Sequence, residues 1–316
     1  MRAAAVPALA LAFLLGCATR PPSRETVAVA RHGEGRARIA YAERAHAAKA
    51  ALLARINADR AAAGAGPLAY DLVAAKAGDA FCLDAAKTGV MGHWDLAGRA
   101  PYDRYADAGG VDWHGENFSG ASRGGDPFRE DELVGVLLDA HHRMMAERPP
   151  HDGHRRTILD PGWTHVGLGV ALEGGEFRMT EEFTRHVVEW VDLPAGPVRE
   201  GREAPFAARL PKGWNLAGVE VAYEPFPRRM SAKEIRRRAE YAFPAATLRF
   251  LPRLGPSFRY PDGSTGELAV SDGVVRAEVP LRSGPGSYWV LVYAGEGDVN
   301  GRSLIPATAA RIVTPP

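Results

Sequence analysis

Cysteine is nearly absent from this chain, with two in 316 residues, Cys17 and Cys82. Once Cys17 is committed elsewhere no intramolecular disulfide can form, and the fold must stand on its apolar core. Charge imbalance is lacking too. The 39 Lys and Arg against 38 Asp and Glu leave a formal net charge of +1, which excludes the broad basic field of a nucleic-acid-binding surface. The one dense cluster, Arg236-Arg237-Arg238 beside Lys233 and Glu234, fits the solvated face of a short helix. Ala3 to Leu15 is apolar but too short to cross a bilayer as a stable helix, and no second membrane span appears. Several catalytic signatures are missing: no His-Glu-x-x-His helix, no Gly-x-Ser-x-Gly elbow, no cysteine in the setting of a nucleophile. Cys82, in Ala80-Phe81-Cys82-Leu83, has the context of a buried, inert thiol.

What is present begins with an export signal. Arg2 precedes the apolar run, which ends in Leu14-Leu15-Gly16-Cys17 and resembles a bacterial lipobox. The expectation is a signal peptide at 1–17, lipidation of Cys17 as the mature N-terminus, and a flexible tether at 18–38 carrying Pro21 and Pro22. Several acyl chains on Cys17 would make the membrane a stable partner. Ala18, in place of an acidic residue, favours the outer membrane if the cell is Gram-negative. The competing readings are a secreted protein cut near Ala18 and an uncleaved anchor.

Periodicity divides the remainder. Leu52, Leu53 and Ile56 mark an amphipathic helix that ends at Gly64-Ala65-Gly66-Pro67, a second helix spans about 70–87, and a third about 130–147 after a Gly-rich loop at 119–127. Val166, Leu168, Val170 and Leu172, the turn Gly174-Gly175, then Phe177, Met179, Glu181 and Phe183 form a hairpin pattern, and 187–191 continues extended. Three helices and then a short sheet indicate an α+β domain over 39–193. Pro194-Ala195-Gly196-Pro197 looks like a linker. Short apolar runs at 219–223, 247–251, 268–270, 274–279 and 288–293 then predict a smaller all-β, immunoglobulin-like sandwich over 198–316, with Trp289 in its core.

Two histidines and two carboxylates, His93, Glu116, Glu147 and His154, each stand inside a distinctive phrase of the first domain. Imidazole with carboxylate suits either proton exchange near neutral pH or a divalent cation such as Zn²⁺ with one open position. The bland alternative is structural: a helix cap, or satisfaction of buried backbone groups. His141, His142, His151, His165 and His186 are expected at the surface or in packing.

The phrases, taken in order, are Ile56-Asn57 with Arg60; Gly92-His93-Trp94 with Pro101 and Arg104; Gly115-Glu116-Asn117; and Asp152-Gly153-His154-Arg155 before Val166-Gly167-Leu168-Gly169. This series resembles the CAP superfamily, or SCP domain, in its bacterial branch, over about residues 45–192. The resemblance implies an αβα sandwich whose cleft carries two His and two Glu, here His93, Glu116, His154 and, for the fourth, Glu147. His114 is the rival to His93 and Glu181 the rival to Glu147. The animal and plant members are rich in disulfides, and this chain departs from them. Together with the export signal, the resemblance implies an envelope lipoprotein whose cleft binds a lipid or glycan ligand, with or without a divalent metal. The alternative is a metal-dependent hydrolase acting on peptides or envelope polymers.

Overall fold

Leu52, Leu53 and Ile56, with Ala48 one turn and Ala45 two turns before Leu52, line the buried stripe of the first helix, α1 (Gly35–Ala62). In this computed structural model residues 35–238, 240–299 and 304–316 are described. Cys17, the signal and the tether as far as residue 34 lie outside them, and the expected tether gives way to helix at Gly35. Asn57 fixes the turn after α1: its side chain accepts from the Leu68 amide at 2.7 Å and donates to the Leu68 carbonyl at 3.0 Å. Arg60 is fully buried and donates to the carbonyls of Gly66, Ile158 and Asp160 at 2.6–2.9 Å.

The second helix, α2 (Leu72–Thr88), is capped by Asp71, whose carboxylate accepts from the amides of Val73 and Ala74. It covers one face of a four-stranded sheet of order β1-β3-β4-β2. The strands are β1 (Ala69–Tyr70), β2 (Trp113–Ser122), β3 (His165–Glu173) and β4 (Glu176–Arg185), antiparallel except for β1 beside β3. The Val166-Gly167-Leu168-Gly169 phrase has a steric reason. A Cβ at Gly167 would lie 2.2 Å from the Ala75 nitrogen, and one at Gly169 would lie 2.3 Å from the Gly78 carbonyl carbon. Helix and sheet backbones could not otherwise approach so closely. On the opposite face, α1 packs with α4 (Leu133–Met145) over Val166, Leu168, Val170, Phe177, Met179 and Phe183. The short α3 (Pro101–Asp107) lies beside α2, and α5 (Gly153–Leu159) beside α4. The layering is αβα within an α+β chain.

Three features depart from expectation. β2 occupies ground read as a phrase and a loop, because its buried face carries His114 and Glu116 and shows no apolar alternation. The short helices α3 and α5 also lacked a periodic signal. The boundary falls earlier than 193: β5 (Glu189–Asp192) pairs with β6 (Glu203–Arg209), so Pro194–Pro197 joins two strands of the second domain and is not a linker between domains.

That second domain consists of two four-stranded antiparallel sheets, β5-β6-β10-β9 and β12-β11-β7-β8. The remaining strands are β7 (Trp214–Glu224), β8 (Ala246–Phe250), β9 (Ala269–Ser271), β10 (Val274–Pro280), β11 (Gly286–Glu296) and β12 (Thr308–Thr314). Alternation along β11 feeds two cores. Tyr288, Val290 and Val292 enter the sandwich, while Trp289, Leu291 and Tyr293 join Phe81, Trp94 and Tyr102 of the first domain. Trp289 is therefore buried between domains, not within the sandwich. Among the described residues no helix is long and apolar enough to cross a membrane.

Arg60→Met should leave the three carbonyls it serves at 2.6–2.9 Å without a donor, a loss of about 3 kcal/mol. Urea unfolding monitored by circular dichroism measures it, and a loss below about 1 kcal/mol would show that the α1–α5 junction does not depend on this side chain.

Candidate functional site

β2 is an edge strand, so residues from both its faces reach the end of the sheet, and there a cleft of about 800 Å³ opens. His93, Glu116, Glu147 and His154 all line it, together with Asn117, His151, Arg156 and Trp163. The four side chains form two dyads. His93 Nδ1 lies 2.8 Å from Glu116 Oε1, and His154 Nδ1 lies 2.5 Å from Glu147 Oε1. Each imidazole is thus held through Nδ1, so Nε2 is the nitrogen left for a ligand. The His154 side chain is 35% exposed and that of His93 14%.

Different elements build the two dyads. Glu147 comes just after α4 and reaches the start of α5, where its other oxygen accepts from the His154 amide at 3.0 Å and the Arg155 amide at 3.4 Å. It therefore also satisfies orphan amides at a helix start. Glu116 is buried beneath His93 and ion-paired with Arg104 of α3, whose guanidinium also donates to the His93 carbonyl at 2.6 Å. Arg104 further stacks on Phe81, its Cζ 3.7 Å from the ring centroid.

The register places Glu182 of β4 directly opposite Glu116, on the same face of the sheet. Two ionised carboxylates there would repel at close range in a dry interior. Burial and the neighbouring Glu116 charge push the Glu182 carboxyl well above its usual range. For Glu116 burial also pushes upward, but Arg104 and His93 outweigh it and the net shift is downward. The pair thus favours the proton on Glu182 and the negative charge on Glu116. Beside them His114 Nε2 lies 2.8 Å from Glu182 Oε2, and burial lowers its pKa to about 4, leaving a neutral ring stacked on Tyr105.

The rivals named from sequence take other places. His114 is buried against Glu182 and does not line the cleft; it lies two residues along β2 from Glu116, on the same face, where the Tyr105 ring covers it. Glu181 does not line it either. It is fully buried on the α1–α4 face, 2.6 Å from His141 Nδ1, while His141 Nε2 lies 3.0 Å from Asp59. Asn117 donates at 3.1 Å both to Glu181 and to the His154 carbonyl, connecting this buried Asp59–His141–Glu181 chain to the cleft wall. His151, expected only at the surface or in packing, lines the cleft as well. Sequence reasoning missed Glu182, whose role is visible only through strand register, and Tyr241, which comes from the other domain with no motif around it. Tyr241 OH lies 2.6 Å from the Glu116 amide as its acceptor, and its ring centroid 4.9 Å from that of His93.

Residues 53–184 match the CAP family, described as the cysteine-rich secretory protein family. This stretch is a CAP domain. No curated protein matches the chain. Among solved structures, an extracellular protein containing an SCP domain from Bacillus anthracis str. Ames is 18% identical, over 42% of this chain and 39% of its own, with a TM-score of 0.33. A chitin binding domain from Burkholderia pseudomallei is 15% identical, over 38% of this chain and 54% of its own, with a TM-score of 0.21. The present chain thus spans about two-fifths of the first and about half of the second.

A resident cation does not fit this CAP cleft as it is arranged. Among the described residues no three His, Cys, Asp or Glu side chains are grouped so as to hold one. Glu116 is committed to Arg104 and His93, and Glu147 to His154 and the α5 amides.

The Glu182 assignment has a pH signature. Its folded pKa lies above the unfolded value, so the folded state keeps a proton that the unfolded chain releases. That contribution is complete below about pH 4.5 and is lost as pH rises toward the folded value. Glu182→Gln mimics the neutral acid and should flatten the decline in stability between pH 5 and 8 relative to wild type, by up to about 1.4 kcal/mol per pH unit. Parallel slopes in urea titrations of the two proteins would show that Glu182 is ionised in the fold.

Proposed function

We propose that this chain is an exported cell-envelope protein whose CAP domain binds a polar ligand, a peptide or glycan segment of the envelope, in the cleft between His93–Glu116 and His154–Glu147. The observation that carries this reading is the convergence of two imidazole–carboxylate dyads, both held by Nδ1, on one open cleft. The character of the walls supports a polar ligand over an acyl chain or sterol. No Ala, Val, Leu, Ile or Met lines the cleft among the described residues; besides the rings of Trp163 and Tyr241 and the glycine Gly153, its side chains are imidazoles, carboxylates, a guanidinium, an amide and a hydroxyl. A lipid tail would gain little there, and desolvating so many polar groups would cost more than it returned. Imidazoles oriented by carboxylates, with Asn117, Arg156 and Thr157 beside them, supply donors and acceptors for amides and hydroxyls. Envelope location rests on the export signal and on lipidation of Cys17.

Soluble muropeptides titrated calorimetrically into protein that begins after residue 17 test the ligand class. His93→Ala/His154→Ala should weaken binding at least tenfold; unchanged affinity would sink the cleft as the site. Turnover of those fragments, lost in the double variant, would replace binding by hydrolysis. For location, Cys17→Ser should move the protein from the membrane fraction to the soluble one, and continued membrane retention would overturn lipid anchoring.

A further inference from the structure

The connection from β7 to β8, described over residues 225–238 and 240–245, leaves the sandwich and lies against the CAP domain. It contains α6 (Ala232–Arg237), whose Ser231 cap and Glu234 form a reciprocal capping box. Ile235 of that helix is fully buried in the cluster shared between domains. The Met230 amide donates to the Leu96 carbonyl at 3.0 Å. Gly98, at φ 82°, adopts a backbone that disfavours any side chain, and a Cβ there would lie 1.9 Å from the Arg228 carbonyl oxygen. The loop of the CAP domain that carries His93 is therefore shaped to receive this connection.

Past α6 the chain runs along the cleft. Trp94 Nε1 donates to the Glu240 carbonyl at 3.4 Å, and Phe243 packs against Tyr102 and Trp289 at 4.7 and 5.3 Å between centroids. Between these anchors Tyr241 is set over His93 and accepts from the Glu116 amide. That amide belongs to edge strand β2 and has no neighbouring strand on its outer side. The phenolic oxygen supplies the partner that a further strand would give.

We infer that the site is composite: the second domain supplies one wall of the CAP cleft through Glu240 and Tyr241, and Tyr241 governs access to His93 while fixing the edge of β2 beneath it. The composite wall rests on the proposed ligand class only for the choice of probe. A ligand reaching His93 must pass the Tyr241 ring, whereas His154, on the opposite dyad, is reached without it. The second domain then acts as part of the recognition surface and not as a spacer.

Diethyl pyrocarbonate, which acylates accessible neutral imidazole, reads this directly when modified peptides are quantified by mass spectrometry on the folded protein. Tyr241→Ala should raise the modification rate of His93 at least fivefold and leave that of His154 within twofold; equal His93 rates in wild type and variant would overturn the inference. Tyr241→Phe keeps the ring and removes only the acceptor. It should preserve protection of His93 yet speed hydrogen exchange of the Glu116 amide at least tenfold, and unaltered exchange would likewise overturn it. Muropeptide titration separates the two readings: a wild type that binds none, with His93 unmasked in Tyr241→Ala, overturns the ligand class and supports the composite wall.

Discussion

The cleft depends on one buried anion, the carboxylate of Glu116. Arg104 supplies its counter-charge, Glu182 faces it across the ladder with its carboxyl pushed toward the protonated form, and His93 sits on it from the cleft side. A carboxylate so deeply buried is tolerable only when paired and hydrogen-bonded on every side. Each partner is drawn from a different element, so meeting this demand positions the α3 helix, the β4 strand and the His93 loop at once. The second dyad is built more economically. Glu147 holds His154 with one oxygen and the first amides of α5 with the other, so orienting the ring and starting the helix are one act.

The two faces of the sheet are used unequally. The α1–α4 face is mainly apolar; its buried polar groups include Asn117 and the Asp59–His141–Glu181 chain, in which burial opposes but the two carboxylates prevail, raising the imidazole's pKa. The α2–α3 face, by contrast, carries His114, Glu116, Glu182 and Thr180 beneath the glycines that admit α2. Buried polarity gathered beside the open edge of β2, with Glu116 reaching the cleft from one face and Asn117 from the other, is what distinguishes a sheet built to present a site from one that only fills a core.

Much of this is legible in the chain. The stripe of Leu52, Leu53 and Ile56 and the alternation from Val166 to Phe183 arise from burying one face of a helix or both faces of a strand, and both stand where periodicity puts them. His93, Glu116, Glu147 and His154 lie in phrases whose glycines and caps have local steric causes, so their convergence can be anticipated. β2 cannot, because its inward side chains are ionisable and mimic a polar loop. Nor can Tyr241, since its contribution depends on how one domain lies on another, and no local pattern encodes that. The exclusion of His114 and Glu181 from the cleft likewise depends on what lies over them, Tyr105 of α3 over the one and His141 of α4 over the other, and no local pattern encodes that.

The two-faced strand β11 bears on how the molecule comes into being. Tyr288, Val290 and Val292 are satisfied once the sandwich closes, but Trp289, Leu291 and Tyr293 are satisfied only by a neighbour made earlier in the chain. A chain synthesised from its N-terminus has the CAP domain available first, as a template against which the later sheet can settle. The C-terminal domain is thus a dependent structure in biogenesis: severed from its predecessor it would carry a bare aromatic face into solution, prone to self-association.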